Sequence, residues 1–82
     1  MKIRVLDEVI DMGALGVILL CVEGTPRGGM RIRDARGSVH AVSSVSEQDG
    51  LFTMHLPEGT ESYFGRLFRD IRVDATLFEE VE

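Results

Sequence analysis

Short runs of hydrophobic residues, separated by turn residues, follow one another along the whole chain. Apolar and polar positions alternate over 2–6, 30–34 and 51–56. Because successive side chains of a strand point to opposite faces, this alternation predicts three half-buried β-strands. The run at 16–22 has no polar side and predicts a strand that is buried on both faces. Glycine, proline and Asp-Gly pairs mark the turns, so the pattern is typical of an all-β protein.

Three further segments are less regular. Residues 39–46 carry an apolar side chain at every third position, which predicts a strand interrupted by a bulge. Residues 61–68 have helical spacing, but Gly65 costs a helix about 1 kcal/mol relative to alanine. We therefore expect a turn or a single helical turn there. The last alternating segment, 70–78, predicts the closing strand, with Ile71, Val73, Ala75 and Leu77 facing inward and 79–82 frayed.

These segments together predict a small six-stranded antiparallel β-barrel, closed or nearly closed, with one short helical turn near 61–68. A sandwich usually needs more strands and about 100 residues, whereas this chain of 82 residues has room for a single domain, 1–82. The core of so small a domain is marginal. Self-association or a partner is one way to supply the missing burial.

The strand at 16–22 is the first candidate for an interaction surface. If Val17 and its alternate neighbours fill the barrel, then Ile18, Leu20 and Val22 lie on the outer face. Either a partner or a connection of the same chain must cover them, and the pattern does not distinguish the two. Tyr63 is a further candidate contact, because it is adjacent to Phe64 and two neighbouring rings of an extended chain cannot both enter the core.

Charge adds a second candidate surface. The net charge is −5, but residues 24–40 hold four arginines and one aspartate, a local charge of +3. This segment predicts a basic rim on an acidic molecule, with candidate anion-binding residues Arg27, Arg31, Arg33 and Arg36. The acidic total disfavours broad binding to nucleic acid or to anionic membranes, since both need a surplus of Lys and Arg.

No catalytic signature accompanies these surfaces. The single cysteine, Cys21, has no basic neighbour and cannot form an internal disulfide, and His40 and His55 lack a third ligand for a metal site. The carboxylates at 7–11 lack the spacing of a calcium loop. We predict no enzymatic activity, cofactor or metal. Without a signal peptide or an apolar stretch of about 20 residues, we expect a cytoplasmic protein that does not enter membranes.

The order of the glycine turns and apolar strands resembles a known family. The residues that carry the likeness are Val22-Glu23-Gly24, Gly29-Met30-Arg31-Ile32, Gly37, Val42-Ser43-Ser44-Val45 and Gly65-Arg66-Leu67-Phe68. This order, over most of the chain, resembles the second-domain β-barrel of translation GTPases such as elongation factor Tu. Leu20 and Cys21 stand where the family usually has a glycine, and no GxxxxGK[ST] phosphate loop is present. The resemblance therefore implies a binding wall and not GTP hydrolysis.

Two functions follow as hypotheses. The first is a non-enzymatic module that binds a protein partner or forms a homo-oligomer. Its candidate interface residues are Ile18, Leu20, Val22, Arg31, Arg33 and Tyr63. The alternative is an RNA-binding or nucleotide-binding barrel that uses the Arg27 to Arg36 region, and salt would weaken such binding steeply.

Overall fold

The computed structural model describes residues 1–70 and 72–82 and is mainly β-structure, as predicted. Seven strands form one antiparallel sheet, in the order β4-β3-β7-β1-β2-β6-β5. The strands are β1 (Lys2–Asp11), β2 (Val17–Glu23), β3 (Arg31–Arg33), β4 (Val39–Ala41), β5 (Ser44–Gln48), β6 (Leu51–Leu56) and β7 (Leu77–Val81). A 3₁₀ turn, Gly13–Leu15, joins β1 to β2, and one helix, α1 (Glu61–Arg69), lies between β6 and β7.

The predicted strand at 39–46 is two strands, which is why there are seven and not six. The Val42 N–H donates to the Met30 carbonyl at 2.9 Å, and the next N–H, that of Ser43, donates to the His55 carbonyl at 2.9 Å. The chain thus passes from β4, at one edge of the sheet, to β5, at the other edge, within two residues. The sheet must curl to allow this. Closure into a barrel is not confirmed, because no ladder joins β4 to β5 over residues 1–70 and 72–82.

The C-terminal strand lies further along the chain than the alternation predicts. The predicted strand at 70–78 and the frayed end at 79–82 are wrong, because β7 spans Leu77–Val81. Within β7 the inward residue is Phe78, opposite Ile3 of β1, and not Leu77. Ala75 is buried and Val73 packs against the core, as predicted, but both precede the strand. Turns occupy the start of the predicted strand: Asp70 Oδ1 accepts the Arg72 N–H at 3.1 Å, and the main-chain carbonyl of Asp74 accepts the Leu77 N–H at 3.2 Å. Such bonds favour turns. The inward prediction for Ile71 lies outside the described residues.

Helix α1 is longer than the single turn expected for 61–68. The Thr60 hydroxyl accepts the Tyr63 N–H at 3.2 Å and caps the first turn. Phe64 and Leu67, one turn apart, are both 0% exposed. Burying each of them contributes roughly 1.5–3 kcal/mol, which outweighs the cost of about 1 kcal/mol for Gly65. Neither this helix nor any other in the described part of the chain is long and apolar enough to cross a membrane.

The core lies inside the curl of the sheet and is closed by α1. Its fully buried members come from every part of the fold and include Ile3, Leu19, Ile32, Met54, Phe64 and Phe78. Gly59, before the helix, allows the close approach of Phe64 to β2, because a Cβ there would lie 2.7 Å from Val17 Cγ2 and 2.9 Å from Phe64 Cε2. The helix therefore packs on the inner side of β2.

Candidate functional site

Strand β2 has the two different faces that its sequence predicts. Val17, Leu19 and Cys21 are buried in the core, whereas Ile18 and Leu20 are half-buried and Val22 is exposed. This alternation places Ile18, Leu20 and Val22 on the outer side of the sheet, away from α1. The three apolar candidate residues thus share one outer surface.

Neighbouring strands extend this surface. Ile10 of β1 is directly opposite Ile18, and on β6 Leu51 shares the outer face of Thr53, which is opposite Leu20. Leu15, in the 3₁₀ turn, is 63% exposed, Ile10 42%, Val22 40% and Leu51 39%. We call this surface the outer apolar face. It consists of Ile10, Leu15, Ile18, Leu20, Val22 and Leu51.

The same chain covers the outer apolar face only in part. The 3₁₀ turn lies against one end of it, where His55 Nε2 is 2.6 Å from the Leu15 carbonyl oxygen. Helix α1 does not cover the outer apolar face, because Phe64 and Leu67 pack on the core side of the sheet. The sequence leaves open whether a partner or a connection of the same chain covers this face. The connection, which is the 3₁₀ turn, shields one end of the face and leaves Val22 and Leu51 exposed.

A bulge in β1 brings charge next to this face. Val5 is opposite Cys21 and Val9 is opposite Leu19, so four steps along β1 match two steps along β2. The three residues between Val5 and Val9, namely Leu6, Asp7 and Glu8, are all exposed beside Leu20. The bulge thus adds an apolar side chain and two carboxylates to the border of the outer apolar face.

Arg31 and Arg33 do not join the apolar candidates. Both lie on β3, which is separated from β2 by β7 and β1 in the sheet. They are opposite Val81 and Glu79 of β7. The predicted interface is therefore divided between two regions of the sheet, and only its apolar part forms a continuous surface.

Three of the four candidate anion-binding arginines already have acceptors within the chain. Arg27 forms an ion pair with Glu80, Arg31 Nη2 donates to the Glu82 carbonyl oxygen at 2.9 Å, and Arg36 Nη2 donates to Asp70 Oδ2 at 2.9 Å. The hydrogen bond from Arg36, reinforced by Arg72, lowers the pKa of Asp70 to about 2. The opposite charges of these segments are visible in the sequence, but their pairing depends on the fold, which places β7 beside β3 and the end of α1 near Arg36.

Tyr63 is held inside the protein by an aspartate that the sequence analysis did not single out. Its hydroxyl donates to Asp34 Oδ2 at 2.5 Å, and His40 Nε2 lies 2.8 Å from the same oxygen. The Tyr63 and Phe64 rings both pack against the imidazole of His40. Only the Asp-Ala-Arg-Gly turn at 34–37 hints at this role, since aspartate commonly binds the backbone of such turns.

Asp34 is buried but fully hydrogen-bonded. Besides Tyr63 and His40, its carboxylate accepts the N–H groups of Arg36 at 2.9 Å and Ser38 at 3.1 Å. Burial raises the pKa of Asp34, but the four hydrogen bonds outweigh this effect and leave the pKa below its ordinary value. The cluster therefore stabilises the turn between β3 and β4 as an ionised anchor, with no polar atom left over for a ligand.

Potentially reactive side chains elsewhere have structural partners. His55 Nδ1 is 3.1 Å from Ser43 Oγ, and His55 Nε2 donates to the Leu15 carbonyl at 2.6 Å, so both ring nitrogens have partners within the chain. Burial raises the pKa of Cys21, whose thiol donates to the Glu23 carbonyl at 3.1 Å, so the reactive thiolate is disfavoured. Among residues 1–70 and 72–82, no three His, Cys, Asp or Glu side chains are grouped to hold a metal ion.

Comparisons of the chain with protein-family models, with curated proteins and with solved structures gave no match.

Proposed function

We propose that this protein is a non-enzymatic interaction module and that it binds another protein through the outer apolar face. The observation that carries the proposal is the exposure of Ile10, Leu15, Val22 and Leu51 around Leu20, on a sheet whose other side already packs a complete core. These side chains add nothing to the core of the folded chain. Burial against a partner would be favourable by roughly 25 cal/mol per Å² of apolar surface.

The geometry supports a protein partner over a small ligand. The outer apolar face is a surface across β1, β2 and β6 and not an enclosed cavity. A concavity of about 180 Å³ does exist, but it lies elsewhere, between Arg33, Asp34 and Phe78. Broad apolar surfaces with a polar border are typical of sites that contact proteins.

The alternative, binding of RNA or a nucleotide through Arg27, Arg31, Arg33 and Arg36, has less support. Phosphate would have to displace Glu80, Glu82 or Asp70 from three of these arginines. It would also have to approach a molecule with a net charge of −5. We retain it as the second hypothesis, to be recognised by a steep loss of binding with salt.

We further propose that the curled sheet is the counterpart of the translation-factor barrel and acts as a binding wall. What supports this is the two-residue passage between the edge strands at Val42 and Ser43, which brings the ends of the sheet together. A similar curvature of the sheet does not identify the partner. The docking proposal therefore rests on the outer apolar face alone.

The test is an unbiased selection of peptides from a random display library, followed by mapping of the bound peptides through amide chemical shifts. We expect the selected peptides to shift amide signals of β2 and β6. Leu20→Glu should abolish binding, because it places an unpaired carboxylate in the centre of the face. Val39→Glu is the matched control, since Val39 is 45% exposed on β4, outside the face. Binding that survives Leu20→Glu, or shifts confined to other strands, would overturn the proposal.

Light scattering of the free protein tests the self-associating form of the same proposal. A mass that rises with protein concentration, and that Leu20→Glu but not Val39→Glu returns to the monomer, would assign the face to a second copy. A monomer at every concentration would overturn self-association. The peptide selection would then test the remaining form of the proposal, binding of a different protein.

A further inference from the structure

Charged residues are segregated around the outer apolar face. Residues 5–26 and 37–65 contain no Lys or Arg, so β2, β5, β6 and most of β1 lack positive side chains. All nine Lys and Arg residues lie elsewhere in the sequence. Three exposed carboxylates, a formal charge of −3, lie next to the outer apolar face, and we call them the acidic rim. They are Asp7 and Glu8, in the β1 bulge beside Leu20, and Asp49, in the turn that precedes Leu51.

The acidic rim is not neutralised within the described residues, 1–70 and 72–82. None of its three carboxylates belongs to an ion pair there. Elsewhere in the fold, by contrast, several acids pair with arginines: Glu80 with Arg27, Asp70 with Arg36 and Asp74 with Arg4. The carboxylates beside the apolar surface thus have no basic partner in the described part of the chain.

We infer that the partner of the outer apolar face is a basic protein segment, with apolar side chains for the face and Lys or Arg for the acidic rim. This inference rests on the proposed function. Charge complementarity of this kind speeds encounter and excludes wrong partners. A second copy in a two-fold dimer fits poorly, because its own acidic rim would lie against the first one. Nucleic acid is repelled from this face for the same reason.

The probe is a set of three synthetic peptides of equal length. In the first, Leu and Val alternate with Lys; in the second, Glu replaces Lys; in the third, Lys is kept and Ser replaces the apolar residues. We expect only the first to shift β2 and β6 amides strongly, with the second weaker by at least about tenfold. Its affinity should fall as ionic strength rises from about 0.1 M to about 1 M, because the screening length shortens from about 10 Å to about 3 Å.

A charge reversal in the protein tests the role of the rim itself. The double variant Asp7→Lys, Glu8→Lys should exchange the preference, so that the Glu peptide binds better than the Lys peptide. The matched control is Glu79→Lys with Glu82→Lys, which changes the net charge equally but alters two exposed residues at β7, outside the rim. Circular dichroism confirms that both variants fold.

The possible results separate this inference from the proposed function. If the Lys and Glu peptides bind the face equally well, or if both double variants act alike, the basic-partner inference is wrong and the docking face stands. If no peptide shifts β2 or β6 amides, the docking proposal is wrong as well. If light scattering shows a dimer that Leu20→Glu dissociates, a second copy is the occupant and the inference is again overturned.

Discussion

The Tyr63 hydroxyl donates a hydrogen bond of 2.5 Å to Asp34 and thereby ties helix α1 to the turn between β3 and β4. Burial, followed by the bond to Asp34, raises the pKa of Tyr63, so the hydroxyl keeps its proton at neutral pH. The carboxylate in turn orders the turn through two backbone N–H groups. One buried anion thus positions a helix and a hairpin through two residues, Tyr63 and Asp34, that are 29 residues apart in the sequence.

Tyr63→Phe removes the hydroxyl and keeps the ring. We expect the free energy of unfolding to fall by about 1.5–3 kcal/mol, the usual range for a hydrogen bond to a charged group. Urea denaturation measures the change. Ser62→Ala is the control, because Ser62 is an exposed neighbour on the same helix and its change should stay within about 0.5 kcal/mol. Equal stability of the Tyr63→Phe and parent proteins would contradict this account of the Asp34 anchor.

Acid should destabilise the protein through three aspartates. Hydrogen bonds and arginines hold the pKa values of Asp34, Asp70 and Asp74 below the ordinary value of 3.8. The unfolded chain therefore takes up protons before the folded one, so this stability is present above pH 3.8 and is lost on acidification. Because the pKa of Asp70 is about 2, the loss should extend down to about pH 2.

Urea midpoints measured between about pH 5 and about pH 2 test this expectation. Asp70→Asn should flatten the lower part of the profile, because it removes the carboxylate whose pKa is lowered to about 2. Glu79→Gln changes an exposed carboxylate for which no ion pair is seen among the described residues, and serves as the control. A midpoint that is constant down to about pH 2 would exclude the proposed coupling.

Gly16→Ala should be strongly destabilising. The φ angle of Gly16 is +99°, and a Cβ would lie 2.2 Å from the Leu56 carbonyl oxygen and 2.6 Å from Pro57 Cα. We expect a loss of about 3 kcal/mol or more, from backbone strain together with a clash against main-chain atoms. Gly29→Ala separates the two causes, since Gly29 has a φ of +89° but no atom within 4 Å of its Cβ position. Equal losses in the two variants would mean that the close approach to β6 does not matter.

The local sequence pattern predicted most strands but not the features that depend on contacts between residues far apart in the sequence. The two faces of β2 followed from strict alternation at Val17–Glu23, and the paired core confirms them. The extent of α1 did not follow, because the burial of Phe64 that offsets Gly65 depends on the rings of His40 and Phe78, which lie on other strands. β7 was misplaced because its acidic residues resemble a solvated tail in the sequence, whereas in the fold they lie beside β3 and Glu80 pairs with Arg27.

The candidate site shows the same limit. The outward position of Ile18, Leu20 and Val22 was predictable, since a strand of period two has no other arrangement. The separation of Arg31 from these residues was not, because it depends on the order of strands in the sheet. The contribution of Leu15 depends likewise on a 3₁₀ turn that carries no periodic signal.

The passage through Val42 and Ser43 makes the two edges of the sheet mechanically dependent on each other. One short segment is hydrogen-bonded to Met30 on one side and to His55 on the other. Neither β3 with β4 nor β5 with β6 can separate from the rest without pulling on that segment. The amides of both edges should therefore exchange with solvent in a single opening event, and binding at β6 should slow exchange as far away as β4.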